Sequence, residues 1–420
     1  MLLTITLFCL MVVLMTLLER HQYKTFITPF NVIVWPYLFV VLFLLGFGWH
    51  RQYKPVTSES IVFVALNVAL FWLTGQIIWY ILRGRQISET NVQLETFITD
   101  HRSILLGIVW VAIAAGLLSF AKIGITLGFD ALGTESFQLA FRSGILGHIT
   151  ILAYPSFILL GAFWLKNHSK FVLLSLLLMI FVVLANQVKY RTILLLLPTL
   201  YFAVQSRIVR KIKTVNIIVA GLAIFAIFVL AYFIGFTATL GFNRAILLLS
   251  FTFNAFEDYV VAGPITLGYF LKGFENYLSP DIVFTVPVNL HHFIVGDYNY
   301  VNPAIPFFVP IATQFAVKNN TGTIFTTLYM CLGFYGSLIF MMVIGLVIYT
   351  IYNLALSKRG TVLNLLSVHL LGILTVSFFG YHFHLLPLWE AGFSMIITPY
   401  AVSALRRIFR LKPAINSGKS

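Results

Sequence analysis

Residues 322–355 read GTIFTTLYMCLGFYGSLIFMMVIGLVIYTIYNLA, with no Asp, Glu, Lys or Arg among them. A helix crossing a bilayer needs about 20 predominantly apolar residues, so this run is long enough to cross and leaves a first part that does not span. Outward from it, apolar runs recur at 2–18, 29–48, 61–82, 104–121, 148–165, 171–187, 192–206, 215–237, 361–380 and 386–405. Together they predict about eleven transmembrane helices, in a range of about ten to thirteen because 192–206 is short and 322–355 is long.

Composition excludes a soluble fold. Of the 420 residues, 60% are AVILMFWYC and 10% are charged, with a mean hydropathy of +0.95, whereas soluble domains are about 25% charged. The expected class is all-α, a polytopic integral membrane protein. Repeats of 20 to 50 residues are missing, and the halves lack the internal similarity of inverted-repeat transporters. Cys9 and Cys331 both fall in apolar runs, which argues against a disulfide framework or a thiolate metal site. The run Leu2 to Leu18 has neither a basic n-region nor a small-residue cleavage site, so it is expected to be a retained first helix, with no soluble domain before or after the membrane part.

Lys and Arg number 27 against 13 Asp and Glu, a net charge of +14. The cations sit in small loop clusters, not along one basic face, so nucleic acid is not an expected partner. Loops 19–28, 83–103, 166–170, 207–214, 356–360 and the tail after 405 hold 18 of the 27. The positive-inside rule therefore places them and the C-terminus in the cytoplasm, with the N-terminus outside. Three parts follow: transmembrane helices one to eight in 1–237, a large periplasmic or extracellular loop in 238–321, and helices nine to eleven with a basic tail in 322–420. The loop contains RAILLLSFTF (244–253) and AIPFFVPIATQF (304–315), too apolar for a linker, so short or re-entrant helices are expected there.

Nine cations remain outside, against the rule. Arg142 with His148, Lys189 with Arg191, and Arg244 all lie near helix ends. Arginine suits phosphate because its planar fork donates two parallel hydrogen bonds and stays charged. The linker NQVKYRT (186–192) is so short that Arg191 must sit at the membrane boundary, as a snorkelling anchor or as a phosphate ligand. Acid or base candidates are Glu257, Asp258, Asp297, His291, His292, His382, His384 and Glu390. Glu390, opening the last helix, is expected to face a wet cavity or pair with a cation. His382 and His384, in GYHFHLLP, would share one side of an extended stretch. No DxD pair or HExxH is present, and no metal site is expected.

Asn319, Asn320, Thr321, Thr323 and Thr326 supply neutral donors and acceptors of the kind that hold sugar hydroxyls, more than one helix cap requires. Gly333 and Gly336 are expected to permit close helix approach. Tyr259, Tyr269, Tyr277, Tyr298 and Tyr300 suit either sugar stacking or an interfacial belt.

Two stretches, KYRTILLLLPTLYF (189–202) and NNTGTIFTTLYMCLGFYGSLIF (319–340), together with the large loop before the second, resemble the bacterial O-antigen or oligosaccharide repeat-unit polymerases, polytopic membrane glycosyltransferases. Where that family often carries Asp before a Phe-Gly, this chain has Leu332, Gly333 and Phe334. The resemblance implies transfer of a growing glycan from its polyprenyl diphosphate carrier to a lipid-linked repeat unit, at the outer face of the bacterial plasma (inner) membrane. The product would be an O-antigen, capsule or exopolysaccharide, made without nucleotide sugar or cofactor. Expected partners are the polyprenyl-diphosphate-linked oligosaccharide, membrane lipid, a chain-length regulator and a flippase. On this resemblance Arg191, Arg244, Arg142 and Lys189 would bind diphosphate. His382, His384, Glu257 and Asp258 would be catalytic, and Asn319, Asn320, Thr321 and Glu390 would hold substrate. An O-antigen ligase uses the same parts on another lipid acceptor. A flippase or transporter would carry more ionisable groups along its helices than this chain does.

Overall fold

The computed structural model describes residues 1–82, 92–128, 131, 134–142, 144–185, 189–208, 225–226, 229–234, 237, 241–273, 278–297, 299–302, 308–313, 318–358 and 360–409. The protein is an all-α, multi-pass membrane protein. Among the described residues, six helices are long and apolar enough to cross a membrane: Leu2–Tyr23, Pro29–Arg51, Ser58–Leu82, Gln93–Leu127, Ile145–Asn167 and Ile324–Ser357. Lys170–Ala185 and Thr361–Val376 are shorter apolar helices. Most of the expected span 215–237 lies outside the described residues.

The chain forms two compact units. The first comprises Met1–Arg85, Asn254–Asn353 and Leu370–Trp389. It begins with α1 (Leu2–Tyr23), α2 (Pro29–Phe47) and α3 (Ser58–Leu82). Thr28, extended and followed by Pro29, caps α2 by accepting from the Asn31 N–H at 3.4 Å, which satisfies one of the four N–H groups a helix start leaves free. Past α2 a 3₁₀ turn over Gly48–Arg51 ends at Gln52 in the left-handed conformation, φ 51°. Residues after this reversal join a short strip of extended chain: Lys54 N–H donates to Ile311 O at 2.9 Å and Thr313 N–H to Gln52 O at 3.0 Å. That strip continues into the antiparallel pair β1 (Val309–Pro310) and β2 (Lys318–Asn319).

Glycines set the close contacts within this unit. A Cβ at Gly75 would lie 2.4 Å from the Tyr349 ring, and one at Gly345 2.1 Å from Thr74 Oγ1, so small residues let these two spans approach, as is usual inside membranes. Gly333 and Gly336 do something else. Gly333 has no heavy atom within 4 Å of its Cβ position, and Gly336 would meet only Leu332 of its own helix. Gly333 instead breaks the helix Ile324–Lys358 with φ 70°, ψ −171°, a region open essentially to glycine alone. The expectation of close helix approach there is corrected to a kink.

At one end of the unit, Asn353 donates to the Tyr23 hydroxyl at 3.2 Å, Tyr352 to Ile27 O at 2.8 Å, and the Tyr349 hydroxyl to the buried Glu19. The other end collects the 48–57 turn, the β pair and residues 377–384. There Ile324 N–H donates to Ser377 O at 2.9 Å, and a Cβ at Gly263 would come within 2.7 Å of Phe378 O.

The second unit comprises Gln86–Phe253, Leu354–His369 and Glu390–Ser420. Here α4 (Val92–Leu127) starts well before the expected 104, so 83–103 is not all loop. The extra turns are amphipathic and carry acids with partners: Glu95 meets Lys166 at 2.6 Å and Asp100 meets Arg406 at 2.9 Å. After α5 (Glu135–Arg142), the expected span 148–165 is divided at Ala153 into α6 (Ile145–Leu152) and α7 (Tyr154–Asn167), with Pro155 in the first turn of α7. Proline fits that position because its missing N–H would have no partner there. Then come α8 (Lys170–Ala185) and α9 (Lys189–Gln205); a Cβ at Gly161 of α7 would lie 2.4 Å from Thr199 of α9. Further helices of the chain, in either unit, are α10 (Phe242–Leu247), α11 (Leu249–Phe270), α12 (Thr285–Val295), α13 (Ile324–Lys358), α14 (Thr361–Val376) and α15 (Leu386–Ile408).

Candidate functional site

In the second unit, Arg191 occupies the first turn of α9 and is 4% exposed. Among the described residues its Nε has no hydrogen-bond partner, nor does the buried hydroxyl of Thr192 beside it. Among the described residues no carboxylate pairs with this guanidinium. An unpaired buried cation is penalised by several kcal/mol, while the first N–H groups of a helix and its dipole favour an anion at the same place. The arrangement suits an oxyanion that accepts from guanidinium, hydroxyl and backbone together. Lys189 is the first residue of α9 and Arg142 the last of α5; their side chains lie outside the described residues.

On the α6 side of the unit, His148 Nδ1 lies 2.8 Å from Glu390 Oε1. The carboxylate accepts from Nδ1–H, so Nε2 is left as the basic nitrogen, on a ring 44% exposed. Glu390, expected to face a wet cavity or pair with a cation, is partnered by this histidine. Glu390 Oε2 is buried with no partner.

The first unit brings together Glu257 and Asp258 on α11 with three residues not singled out from the sequence, His50, Arg51 and Tyr53. Arg51 Nη1 lies 3.0 Å from Asp258 Oδ1 and also donates to Asn254 O at 3.1 Å. Tyr53 donates its hydroxyl proton to Asp258 Oδ1 at 2.6 Å, and Asn319 donates to the Asp258 carbonyl at 3.3 Å. Asp258 is thus a structural acceptor with its oxygens engaged. Glu257 differs: Oε2 is 3.6 Å from His50 Nε2 and 3.9 Å from Arg51, while Oε1 is buried with no partner. Burial raises the Glu257 pKa, against the pull of His50 and Arg51 and with a small push from Asp258. Arg51 was visible in the sequence only as one of the nine outer cations.

His382 and His384 lie on a 3₁₀ turn, not an extended stretch. Each residue of such a turn rotates by about 120°, and the rings pack separately, His382 on Phe379 and His384 on Tyr381. Burial lowers His382 to about 3 and His384 to about 4, so both are neutral, weakly basic rings near pH 7. Gly380 gives His382 its room, since a Cβ there would lie 2.8 Å from the ring.

Asn319 Oδ1 accepts from Thr321 N–H at 2.8 Å and from its hydroxyl at 2.6 Å. Thr323 and Thr326 exchange bonds, Thr326 N–H donating to Thr323 Oγ1 and Thr323 N–H to Thr326 Oγ1, both at 3.1 Å. Local turn and cap bonds therefore engage four of the five polar residues expected to hold sugar, because short hydroxyl and amide side chains reach nearby backbone first; Asn320 is exposed. Arg244 is exposed on α10. His292 meets Asp297 at 2.7 Å, and His369 is buried. Among the described residues no group of three or more His, Cys, Asp or Glu is placed to hold a metal ion.

Residues 56–406 match the Family of unknown function (DUF6337), and the chain belongs to that family. No curated protein and no solved structure matches the chain.

Proposed function

We propose that this member of a family without an assigned activity is a glycosyltransferase that joins polyprenyl-diphosphate-linked oligosaccharide repeat units at the outer face of the bacterial plasma membrane. The observation that carries this reading is Arg191, a buried cation at a helix N-terminus that no carboxylate among the described residues pairs with. Such a site suits the oxygens of a leaving diphosphate, and its position at a span boundary suits one borne by a lipid.

In the proposed reaction, His148 Nε2 takes the proton of the acceptor hydroxyl while Glu390 holds the ring through Nδ1. The acceptor oxygen forms a new bond to the anomeric carbon of the donor glycan. The bond from that carbon to the diphosphate breaks, and its electron pair leaves with the diphosphate, whose charge Arg191 neutralises. General base catalysis is worth about 10²–10⁴-fold, and each aimed donor to developing charge about 10²–10³-fold. His148 thus takes the role first assigned to His382 and His384, whose lowered pKa values make them poor proton acceptors. The reading includes eleven spans, with the N-terminus outside and the C-terminus cytoplasmic. It is supported by the pairing of Glu95 with Lys166 and Asp100 with Arg406, which gathers three loops assigned to one side.

Purified protein given a lipid-linked repeat unit, without nucleotide sugar, is expected to yield a ladder of multiples. Transfer of preformed polymer to a lipid core with no ladder would make it a ligase instead. Formation of neither product would overturn the assignment to glycan transfer.

A further inference from the structure

Helix α12, TVPVNLHHFIV, contains no Asp, Glu, Lys or Arg. It nevertheless exposes Leu290 (56%), Phe293 (71%), Ile294 (73%) and Val295 (58%). Of its polar side chains, Asn289 and His292 are turned to the segment that follows, Thr285 bonds the preceding turn, and His291 is exposed. Asn289 donates to Val301 O at 3.0 Å and accepts from Val301 N–H at 2.7 Å, and His292 meets Asp297 at 2.7 Å. The helix is therefore amphipathic, with most of its polar side already occupied.

The root of α12 is tied to a membrane span. Phe284 packs edge-to-face on Phe340 at 5.6 Å, and the Tyr381 hydroxyl donates to Val283 O at 3.1 Å. Phe340 is seven residues past the Gly333 break, about 10 Å along the helix axis. On that span Tyr335, Ile339 and Val343 are exposed, as a lipid-facing surface is. The apolar face of α12 thus starts beside an exposed apolar surface of a membrane span, continuous with it through the Phe284–Phe340 contact.

We infer that α12 is a monotopic interfacial helix, its apolar face immersed among the acyl chains of the leaflet at the Gly333 end of the first unit. Its occupant is bilayer lipid. The absence of lysine and arginine means that this contact needs no anionic headgroups, unlike cationic surface helices. The inference does not depend on the transferase reading.

The test uses full-length protein carrying C9S and C331S, with a nitroxide at I294C or N299C, reconstituted in phosphatidylcholine vesicles. The expected result is a label at position 294 relaxed by oxygen and shielded from a water-soluble nickel chelate, with the label at 299 showing the reverse. Equal exposure of both labels to nickel would overturn the inference in favour of a solvated helix. Shielding of position 294 from both reagents would overturn it in favour of a protein partner, including a second copy. As a check free of substitutions, wild-type protein in vesicles with a diazirine-bearing acyl chain is expected to give adducts on the peptide containing 290–295. Absence of adducts there, with adducts on the lipid-facing spans, would also overturn it.

Discussion

His148 Nδ1 and Glu390 Oε1 are 2.8 Å apart, although 242 positions of sequence separate the two residues. The bond fixes which nitrogen of the ring is basic. Glu390→Gln presents an amide that can donate to Nδ1 and favour the opposite tautomer. It is expected to lower kcat for glycan transfer by about 10²-fold or more with little change in KM, as does His148→Ala. Equal loss in thermal stability and activity would count against a catalytic pair.

Arg191 is expected to trade stability for binding. Arg191→Met removes an unpaired buried cation and keeps the apolar stem, so ligand-free protein in detergent should unfold at a higher temperature, by an amount on the order of 1 kcal/mol. Inorganic diphosphate should raise the unfolding temperature of the wild type and leave that of the variant unchanged. A stabilisation by diphosphate that survives the substitution would remove Arg191 from the site.

Glu257 sets one pH dependence. Burial raises its pKa above the ordinary 4.5, so the folded protein holds this proton to higher pH than the unfolded chain. Stability from this group is complete below the ordinary value and declines as pH rises through the folded one. Glu257→Gln should unfold at a higher temperature than the wild type above that window, with the difference vanishing on the acid side. Thermal unfolding followed across pH reads this directly.

His382 acts on the acid limb. Its pKa falls from 6.5 to about 3 through burial, with His384 adding to the shift, so the unfolded chain binds the proton more readily. The stability it contributes is present above 6.5 and lost as pH falls towards about 3. His382→Gln should flatten the loss of unfolding temperature across that range. An unchanged slope would mean that the ring is solvated.

Gly333→Ala places a side chain on a backbone with φ 70° and ψ −171° where no neighbour obstructs it. The penalty is conformational alone, about 1–3 kcal/mol. Thermal unfolding is expected to show that loss; Gly336→Ala is expected to lose stability by another route, since its Cβ would lie 2.8 Å from the Leu332 Cβ, which cannot rotate away.

The six long apolar helices were legible because lipid demands long uncharged helices, a property written locally in runs such as 322–355. The kink at Gly333 was not, since an i, i+3 glycine pair reads equally as a contact or a break. The histidines of GYHFHLLP misled because spacing two shares a face only in extended chain. The polar run from Asn319 to Thr326 misled because local backbone bonds compete for the same atoms that sugars use. Arg51 and Tyr53 escaped because their partner is set by tertiary pairing, and nothing near position 51 announces Asp258. The place of Arg191 at a helix start was legible because the linker between its two apolar runs is short.

Arg51 and Asp258 stand 207 positions apart. At a synthesis rate of about 5–20 residues per second, the arginine waits on the order of 10–40 s before its carboxylate has been made. During that interval the reversal at Gln52 has neither its ion pair nor the extended strip from Ile311 to Thr313 to brace it. The first unit therefore assembles late in biogenesis. Its first three helices must persist in the bilayer as an unfinished bundle, and truncated chains that stop before position 258 should be the natural clients of membrane quality control.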